Sequence, residues 1–304
     1  MLPLFPDTFG IGVTRRCFMA ALASSFGVSG AASAMEYPFD RQSGPFRLSV
    51  PFPDIVGQVT PKTGVPTGIA FGDSIQKLIA AGVLDPDKFR ASEGNLPDWV
   101  DRLLASPSDD PILISEDTSP YLVNLLWPLG LSNRAAFNEN SPVNTLSMPS
   151  FASTGGWTMG REQNGYVYFN QADVINMTDQ QQATVFDVAT NTFRPCCDNS
   201  TLFQDCNHGS ALLGLLELAA SQGATMEGLY GLALTANSFW FPDYYAKIAL
   251  YFWHFHNKSW SDVPPQLILG SDFSSLTGWQ KNIDDRLQRA NITLPGESKG
   301  QQAC

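Results

Sequence analysis

The sequence is poor in basic residues and in histidine. Its 304 residues include 18 Lys and Arg against 29 Asp and Glu, so the formal net charge is −11, and only three residues are His. A chain this acidic repels nucleic-acid phosphates and anionic lipid, and no run of basic residues offsets that field. We therefore expect no nucleic-acid partner.

Several familiar catalytic and cofactor motifs are also missing. The sequence contains no Cys-x-x-Cys-His for covalent haem, no His-Glu-x-x-His zinc motif, no Gly-rich phosphate loop and no Gly-x-Ser-x-Gly nucleophile turn. Any chemistry must therefore be inferred from residues outside a standard motif, and the sequence identifies neither a reaction nor a substrate.

Charged residues are scarce, at 15% of the chain, whereas 43% are hydrophobic and 12% aromatic. This is the composition of a folded globular protein rather than a disordered or coiled-coil chain. No internal repeat or sharp change in composition divides it. We therefore expect a single globular domain of packed helices, mainly α, with a small β-hairpin and an extended N-terminal arm.

The N-terminus carries a predicted export signal. Arg15 and Arg16 precede the apolar run 20–28, and Ala32-Ser33-Ala34 has the small-x-small form that signal peptidase accepts. The paired arginines resemble the twin-arginine signal of bacteria, with Phe18 at the apolar position two places on. The apolar run is shorter than the roughly 20 residues that span a bilayer. It therefore favours a cleaved leader over a membrane anchor.

We expect cleavage to remove residues 1–34 and to leave the protein in the periplasm or secreted, with no stable membrane insertion. The loss of two of the 18 basic residues and one of the 29 acidic residues gives the mature chain a net charge of −12. The twin-arginine resemblance implies export of a chain that is already folded, often around a cofactor. It is the first indication of a bound metal or cluster.

The mature chain divides into two predicted segments. Residues 35–70 are rich in Pro and Gly without a helical period, which predicts an extended arm. Residues 71–304 are expected to form the mainly helical domain. Within it, Asn164-Gly165 lies between the apolar segments 157–159 and 166–169, which predicts the hairpin.

Caps, stops and apolar periodicity predict the helices. In the first half of the chain we expect a helix that starts after Asp73-Ser74 and stops at Gly82, one that Pro97 opens and that runs to Leu104, and a buried one from Tyr121 to Leu126 that ends at Pro128. Around the cysteines we expect a helix that Thr178 caps and that runs to Ala189, and the apolar helix Ser210 to Gln222, which Gly223 stops. Towards the C-terminus we expect a helix that Thr225 caps and that runs to Phe239, one that Asp243 caps and that runs to His256, and an amphipathic one from Trp279 to Ala290.

A cluster of cysteines stands before the apolar helix. The mature chain has Cys196, Cys197, Cys206 and Cys304, and the first three lie within eleven residues, close to His208. The start of a helix offers unpaired N–H groups and a dipole that stabilise a thiolate. The segment is therefore the main candidate site.

One interpretation of the cluster is a metal or cluster site with ligands Cys196, Cys197, Cys206 and His208. Adjacent cysteines point apart in an extended backbone, so both reach one zinc ion only through a kinked loop. The irons of a cluster, or a dinuclear copper site, accept diverging thiolates more easily. This interpretation predicts an iron–sulfur cluster or copper rather than zinc, and a redox or electron-transfer protein with a redox partner.

A second interpretation is an exported scaffold or binding protein held by disulfides. An even number of cysteines in an exported chain favours two bridges, one closing the short loop to Cys206 and one involving Cys304. The sequence leaves metal and disulfide open as alternatives.

A third interpretation is a cysteine nucleophile. Cys206 ahead of the apolar segment 211–216 resembles the arrangement in papain-like and transglutaminase-like enzymes, which implies a hydrolase or transferase with His254 or His256 as base. That resemblance also implies a strand around the histidine, whereas the long apolar segment 248–253 predicts a helix.

Five further residues are secondary candidates. His254 and His256 share a face on a strand but diverge by about 200° on a helix, so at most one would belong to a site. Asp198, Asp205 and Glu217 lie near enough to the cysteines in sequence to tune or to ligate a metal.

Overall fold

The computed structural model describes residues 54–295, which belong to one compact unit. The predicted signal peptide, residues 35–53 of the predicted arm, and Cys304 lie outside the described residues. Within residues 54–295 no helix combines the length and the hydropathy needed to cross a bilayer.

The described chain is mainly helical with one small antiparallel sheet, which confirms the predicted fold class. Strand β1 (Val65–Pro66) pairs with β2 (Leu113–Ile114), with Val65 opposite Ile114. The α-helices are α1 (Ile55–Val59), α2 (Ser74–Ala80), α3 (Pro86–Glu93), α4 (Asp98–Ala105), α5 (Ser119–Ser132), α6 (Ala152–Gly155), α7 (Asp179–Asn191), α8 (Asn207–Ser221), α9 (Met226–Trp240), α10 (Pro242–His256), α11 (Pro265–Leu269), α12 (Ser271–Ser274), α13 (Leu276–Trp279) and α14 (Asp285–Arg289). Short 3₁₀ helices span Ala136–Asn140, Met148–Ser150, Gly165–Tyr168 and Trp260–Asp262, and a π-helix spans Gln280–Asp284.

The sheet does not form where the sequence predicted it. Asn164 instead caps the 3₁₀ helix Gly165–Tyr168, and its side chain accepts a hydrogen bond from the Tyr166 N–H at 3.1 Å. Trp157 is buried with its ring against two other aromatic rings. Trp157, Tyr168 and Phe169 therefore belong to the core, whereas Tyr166 and Val167 are exposed, and the Asn164 side chain makes a local turn of a different kind.

Two of the predicted helix caps are confirmed. Thr178 and Gln181 form the predicted capping box at the start of α7, and the Thr225 Oγ1 accepts a hydrogen bond from the Gly228 N–H at 3.2 Å at the start of α9. The predicted cap at Asp243 is wrong: α10 starts at Pro242, whose fixed φ suits the first helical position.

Helix α5 continues past its predicted end. The sequence predicted a stop at Pro128, but the helix runs to Ser132 with Pro128 inside it. A proline there removes one backbone hydrogen bond at a cost of about 3 kcal/mol. Complete burial of Leu129 and Leu131 beyond it shows that core packing outweighs this cost.

Helices α5 and α8 touch backbone to backbone at the centre of the fold. A Cβ built on Gly130 would lie 2.6 Å from the backbone nitrogen of Gly214, and one built on Gly214 would lie 2.7 Å from the nitrogen of Gly130. Only glycine fits at both positions. Helix α8 is buried from Gly209 to Ala220, so its N-terminal end, which carries the candidate site, is held in a fixed position.

Candidate metal centre

The segment between α7 and α8 brings the predicted residues together in two overlapping groups. In one, ligand atoms of Cys196, Cys206 and His208 all lie within 4.8 Å of one another; in the other, those of Cys197, Asp205 and Cys206 do so. Cys206 belongs to both groups. The four predicted ligands therefore do not form one set, because Cys197 is grouped with Asp205 and not with His208.

Helix α8 begins earlier than the sequence predicted, and Cys206 is its N-cap. The helix starts at Asn207 rather than Ser210, and the Cys206 Sγ accepts a hydrogen bond from the Gly209 N–H at 3.4 Å. The sulfur thus replaces the oxygen of a usual capping side chain. The positive end of the helix dipole favours the thiolate form at this position.

Arg194 is the central residue that sequence reasoning missed. Its side chain is completely buried, and its Nε donates to the Cys206 Sγ at 3.1 Å. Its Nη2 donates to the Asp205 Oδ1 at 2.7 Å, and further bonds reach the carbonyls of Asn199 and Phe203. An arginine two positions before a cysteine pair gives no sequence signal of burial, so only the folded chain reveals this role.

Gly209 makes room for the guanidinium. A Cβ at this position would lie 2.5 Å from Arg194 Nη2 and 2.7 Å from its Cζ. The planar group therefore packs directly on the backbone of the first turn of α8. The sequence Cys206-Asn207-His208-Gly209 therefore supplies a thiol and an imidazole, and its glycine leaves room for the buried Arg194 guanidinium beside them.

The three thiols differ in acidity. Hydrogen bonds from Cys196 and Cys197, together with the charge of Arg194 and its bond to the sulfur, hold the pKa of Cys206 far below its usual value despite burial. Hydrogen bonding to Cys197 and Cys206, and burial, raise the pKa of Cys196. A hydrogen bond with Cys196 lowers the pKa of Cys197, but the bond with Cys206 and burial outweigh it and bring that pKa to about 11. Without a metal, Cys206 is the thiolate of the cluster.

His208 is a neutral imidazole set among aromatic rings. Its ring centroid lies 4.7 Å from that of Phe241 and 5.8 Å from that of Trp240. Burial is the main cause that lowers its pKa. A neutral imidazole has a free lone pair and is the form that binds metals.

The secondary histidines lie outside the cluster. Helix α10 contains both His254 and His256, so they diverge as predicted for a helix, and the Nε2 of His256 lies 3.2 Å from the Tyr251 hydroxyl. The strand that the cysteine-protease resemblance implies is absent here. His208, rather than His254 or His256, is the imidazole grouped with Cys206.

The acidic candidates have separate roles. Asp205 is held between Arg194 and the Asn199 Nδ2, which donates to its Oδ2 at 2.8 Å. Asp198 turns away and accepts a hydrogen bond from the Thr277 N–H at 2.7 Å. Glu217 is buried in α8 beside Asn133.

The sulfurs of Cys196 and Cys206 are in contact but are not bonded to each other. The Sγ atoms of Cys196 and Cys206 are 3.7 Å apart, and all three cysteines in the described part of the chain are free. A disulfide requires about 2.05 Å. Two thiolates bound at about 2.3 Å to one tetrahedral ion lie about 3.8 Å apart, so the pair, which forms a thiol hydrogen bond here, also has a spacing that could hold an ion.

Comparison of the chain with known proteins supplies no relative. No protein-family model, no curated protein and no solved structure matches it. The function is therefore argued from the geometry and chemistry of the cluster.

Proposed function

We propose that the chain is an exported metal-binding protein whose ion is held by Cys196, Cys206 and His208. The observation that carries this proposal is the 3.7 Å separation of the two sulfurs, with an imidazole nitrogen within 4.8 Å of both. Two thiolates and one imidazole form a soft donor set that suits first-row transition metals and excludes Mg²⁺ and Ca²⁺ as preferred ions.

The charges around the site support a divalent ion. Ionised Cys196, Cys206 and Asp205 carry three negative charges, and Arg194 carries one positive charge. A divalent cation brings this group of four side chains to neutrality. Its field would also remove the repulsion from Cys206 that opposes ionisation of Cys196.

Copper is the ion we favour, because a redox or electron-transfer role requires a metal that changes oxidation state. Zinc fits the same donors without redox chemistry. The objection that adjacent cysteines diverge does not apply to this ligand set, since Cys197 is not part of it. An iron–sulfur cluster would need Cys197 as a further ligand.

Metal analysis with an absorption spectrum, on protein purified without air, tests the proposal. We expect one copper per chain and, once the ion is in its Cu²⁺ state, an intense thiolate-to-copper absorption band, both lost in Cys206→Ser and strongly reduced in His208→Ala. His254→Ala is the matched control and should keep the metal. Colourless protein that takes up neither copper nor zinc would refute the proposal.

Export is the second part of the proposed function, and it rests on Arg15, Arg16 and the segment Ala32-Ser33-Ala34. Replacement of both arginines by lysine keeps the charge but removes the pair that the twin-arginine receptor reads. We expect the precursor to stay in the cytoplasm when cells are fractionated. Unchanged export would reject this route.

The same sulfur pair supports a second candidate function, a dithiol that cycles with a disulfide. Cys196 is exposed and lies 3.7 Å from Cys206, so a small movement joins the two sulfurs. Hydrogen peroxide would accept the two electrons that the sulfurs lose and would become two waters, with one proton from the Cys196 thiol and one from solvent, because Cys206 is already a thiolate. A dithiol reductant would return two electrons and two protons and would itself become a disulfide. We expect peptide mapping of oxidised, metal-free protein to find a Cys196–Cys206 bond. A bond through Cys197 instead would count against this candidate.

A further inference from the structure

A cleft adjoins the candidate metal centre. Its volume is about 330 Å³, and its lining includes His208, whose nitrogen also belongs to the cysteine group. The imidazole therefore stands between the thiols and the cleft. Pockets that bind small molecules start at about this size.

Two polar side chains of the cleft have no hydrogen-bond partner. Ser119 is only 3% exposed, and its Oγ forms no hydrogen bond with the described residues. No hydrogen bond of the described chain involves the imidazole of His208, which has two ring nitrogens and can give only one to a metal. A metal-bound imidazole usually donates its other N–H to a partner. Both groups would be satisfied by a ligand with a hydrogen-bonding group.

The rest of the cleft is mostly apolar, and its two charged residues have opposite signs. Phe239 and Trp240 contribute aromatic walls, and the Trp240 indole is held by a hydrogen bond from its Nε1 to the Ser119 carbonyl at 3.3 Å. Lys62 and Glu116 are the only charged residues of the lining, and both are exposed. Opposite charges at the rim select for neither an anion nor a cation, and aromatic walls favour an aromatic ligand.

We propose that this cleft binds a small uncharged aromatic molecule with a hydroxyl group, which bonds to the Ser119 Oγ and places its ring beside His208. The proposal deepens the proposed function and rests on it, since it names the class of molecule that meets the metal centre.

The test uses 4-methylphenol as the probe and toluene as its counterpart without the hydroxyl. Binding to protein loaded with Co²⁺ is followed by saturation-transfer NMR, and the absorption spectrum of the Co²⁺ is recorded in parallel. We expect 4-methylphenol to bind and to shift the Co²⁺ bands. Toluene should bind about fivefold more weakly, the equivalent of one lost hydrogen bond.

Variants of the cleft make the test specific. Val56→Trp fills the cleft from its rim, where Val56 is 48% exposed, and should weaken 4-methylphenol binding at least tenfold. Val167→Trp is the matched control, because Val167 is 40% exposed and lies outside the cleft, and it should have no effect. Ser119→Ala should reduce the affinity for 4-methylphenol to that for toluene.

Failure of this inference is distinguishable from failure of the metal site. Suppose that the native protein and Val56→Trp both show the thiolate-to-Co²⁺ band and bind 4-methylphenol with equal affinity. That result would overturn this inference alone. Equal binding of 4-methylphenol and toluene would do the same. Protein that takes up neither Co²⁺ nor copper nor zinc would instead overturn the proposed function, whatever the probe does.

Discussion

Two fully buried ionisable side chains, Arg194 and Glu217, have opposite environments. Arg194 donates hydrogen bonds to a thiol, a carboxylate and two carbonyls. Neither carboxyl oxygen of Glu217 has a hydrogen-bond partner among the described residues. Both side chains are 0% exposed, so burial alone does not account for the difference.

The protonation of the two groups differs accordingly. Burial lowers the pKa of Arg194, but the cysteine cluster, above all the charge of the Cys206 thiolate, outweighs it, so the guanidinium is held firmly in its charged form. Burial raises the pKa of Glu217 well above its usual value, and the neighbouring Asn133 opposes this only in part. A buried charge persists where opposite charges converge on it. Elsewhere in the core the group becomes neutral.

Loss of Arg194 should have the largest effect. Arg194→Met leaves the Asp205 carboxylate and the Cys206 thiolate without their cation, and we expect about 3–5 kcal/mol lower free energy of unfolding. Urea denaturation of reduced, metal-free protein measures this. Arg134→Met is the control, because the Arg134–Asp173 pair is exposed and should contribute at most about 1 kcal/mol. Similar losses in both variants would contradict the comparison.

Gly209→Ala should push the Arg194 guanidinium out of its position without changing Arg194 itself. Its Cβ would collide with Arg194, and overpacking of this kind costs about 1–3 kcal/mol. Gly231→Ala is the matched control within a helix, since nothing lies within 4 Å of its Cβ position, and it should instead stabilise by about 0.5–1 kcal/mol. Thermal unfolding should therefore shift in opposite directions. A stabilised Gly209→Ala variant would show that the guanidinium can move freely.

Glu217 should make stability fall as the pH rises. In the unfolded chain its carboxyl ionises near pH 4.5, whereas in the folded chain its raised pKa keeps it protonated at higher pH. The folded state then binds more protons between these two pKa values, so stability declines there by up to about 1.4 kcal/mol per pH unit.

Glu217→Gln removes this titration and should be more stable than the native chain at pH 8 but not at pH 4. Glu162→Gln, at an exposed position, is the control and should leave the pH profile unchanged. Parallel profiles of the Glu217→Gln variant and the native protein, measured by urea unfolding, would show that Glu217 ionises in the folded state.

Asp198 should show a small pH effect of the opposite sign. Hydrogen bonds from the Thr277 side chain and backbone lower its pKa below the usual 3.8, so its contribution is present above pH 3.8 and disappears as the pH falls through the folded pKa. Because Asp198 is exposed, Asp198→Asn should cost less than about 1 kcal/mol at pH 7. In a double-mutant cycle with Thr277→Val, this cost should shrink. An unchanged cost would assign the effect to another contact.

Local signals in the sequence predicted much of the helical structure. The Thr178 capping box, the Thr225 cap and the stop at Gly223 involve residues within a few positions of one another, and all three occur in the structure. Helix α3 was missed although Asp85 caps it and Pro86 opens it, both of which are readable signals. The end of α5 was not predictable in this way, because long-range packing overrides the local effect of Pro128.

The sequence by itself determined that soft ligands gather before a buried helix, since Cys196, Cys197, Cys206 and His208 are neighbours along the chain. Only the tertiary structure decided how they divide, with Cys196 and His208 in one group around Cys206, and Cys197 and Asp205 in another. It also placed Arg194 beneath the thiolate and His208 in the wall of a cleft. The reason is physical: spacing along the chain fixes which groups can meet, but the direction of each side chain depends on the packing of α8 against α5 and on Gly209, which leaves room for a buried cation.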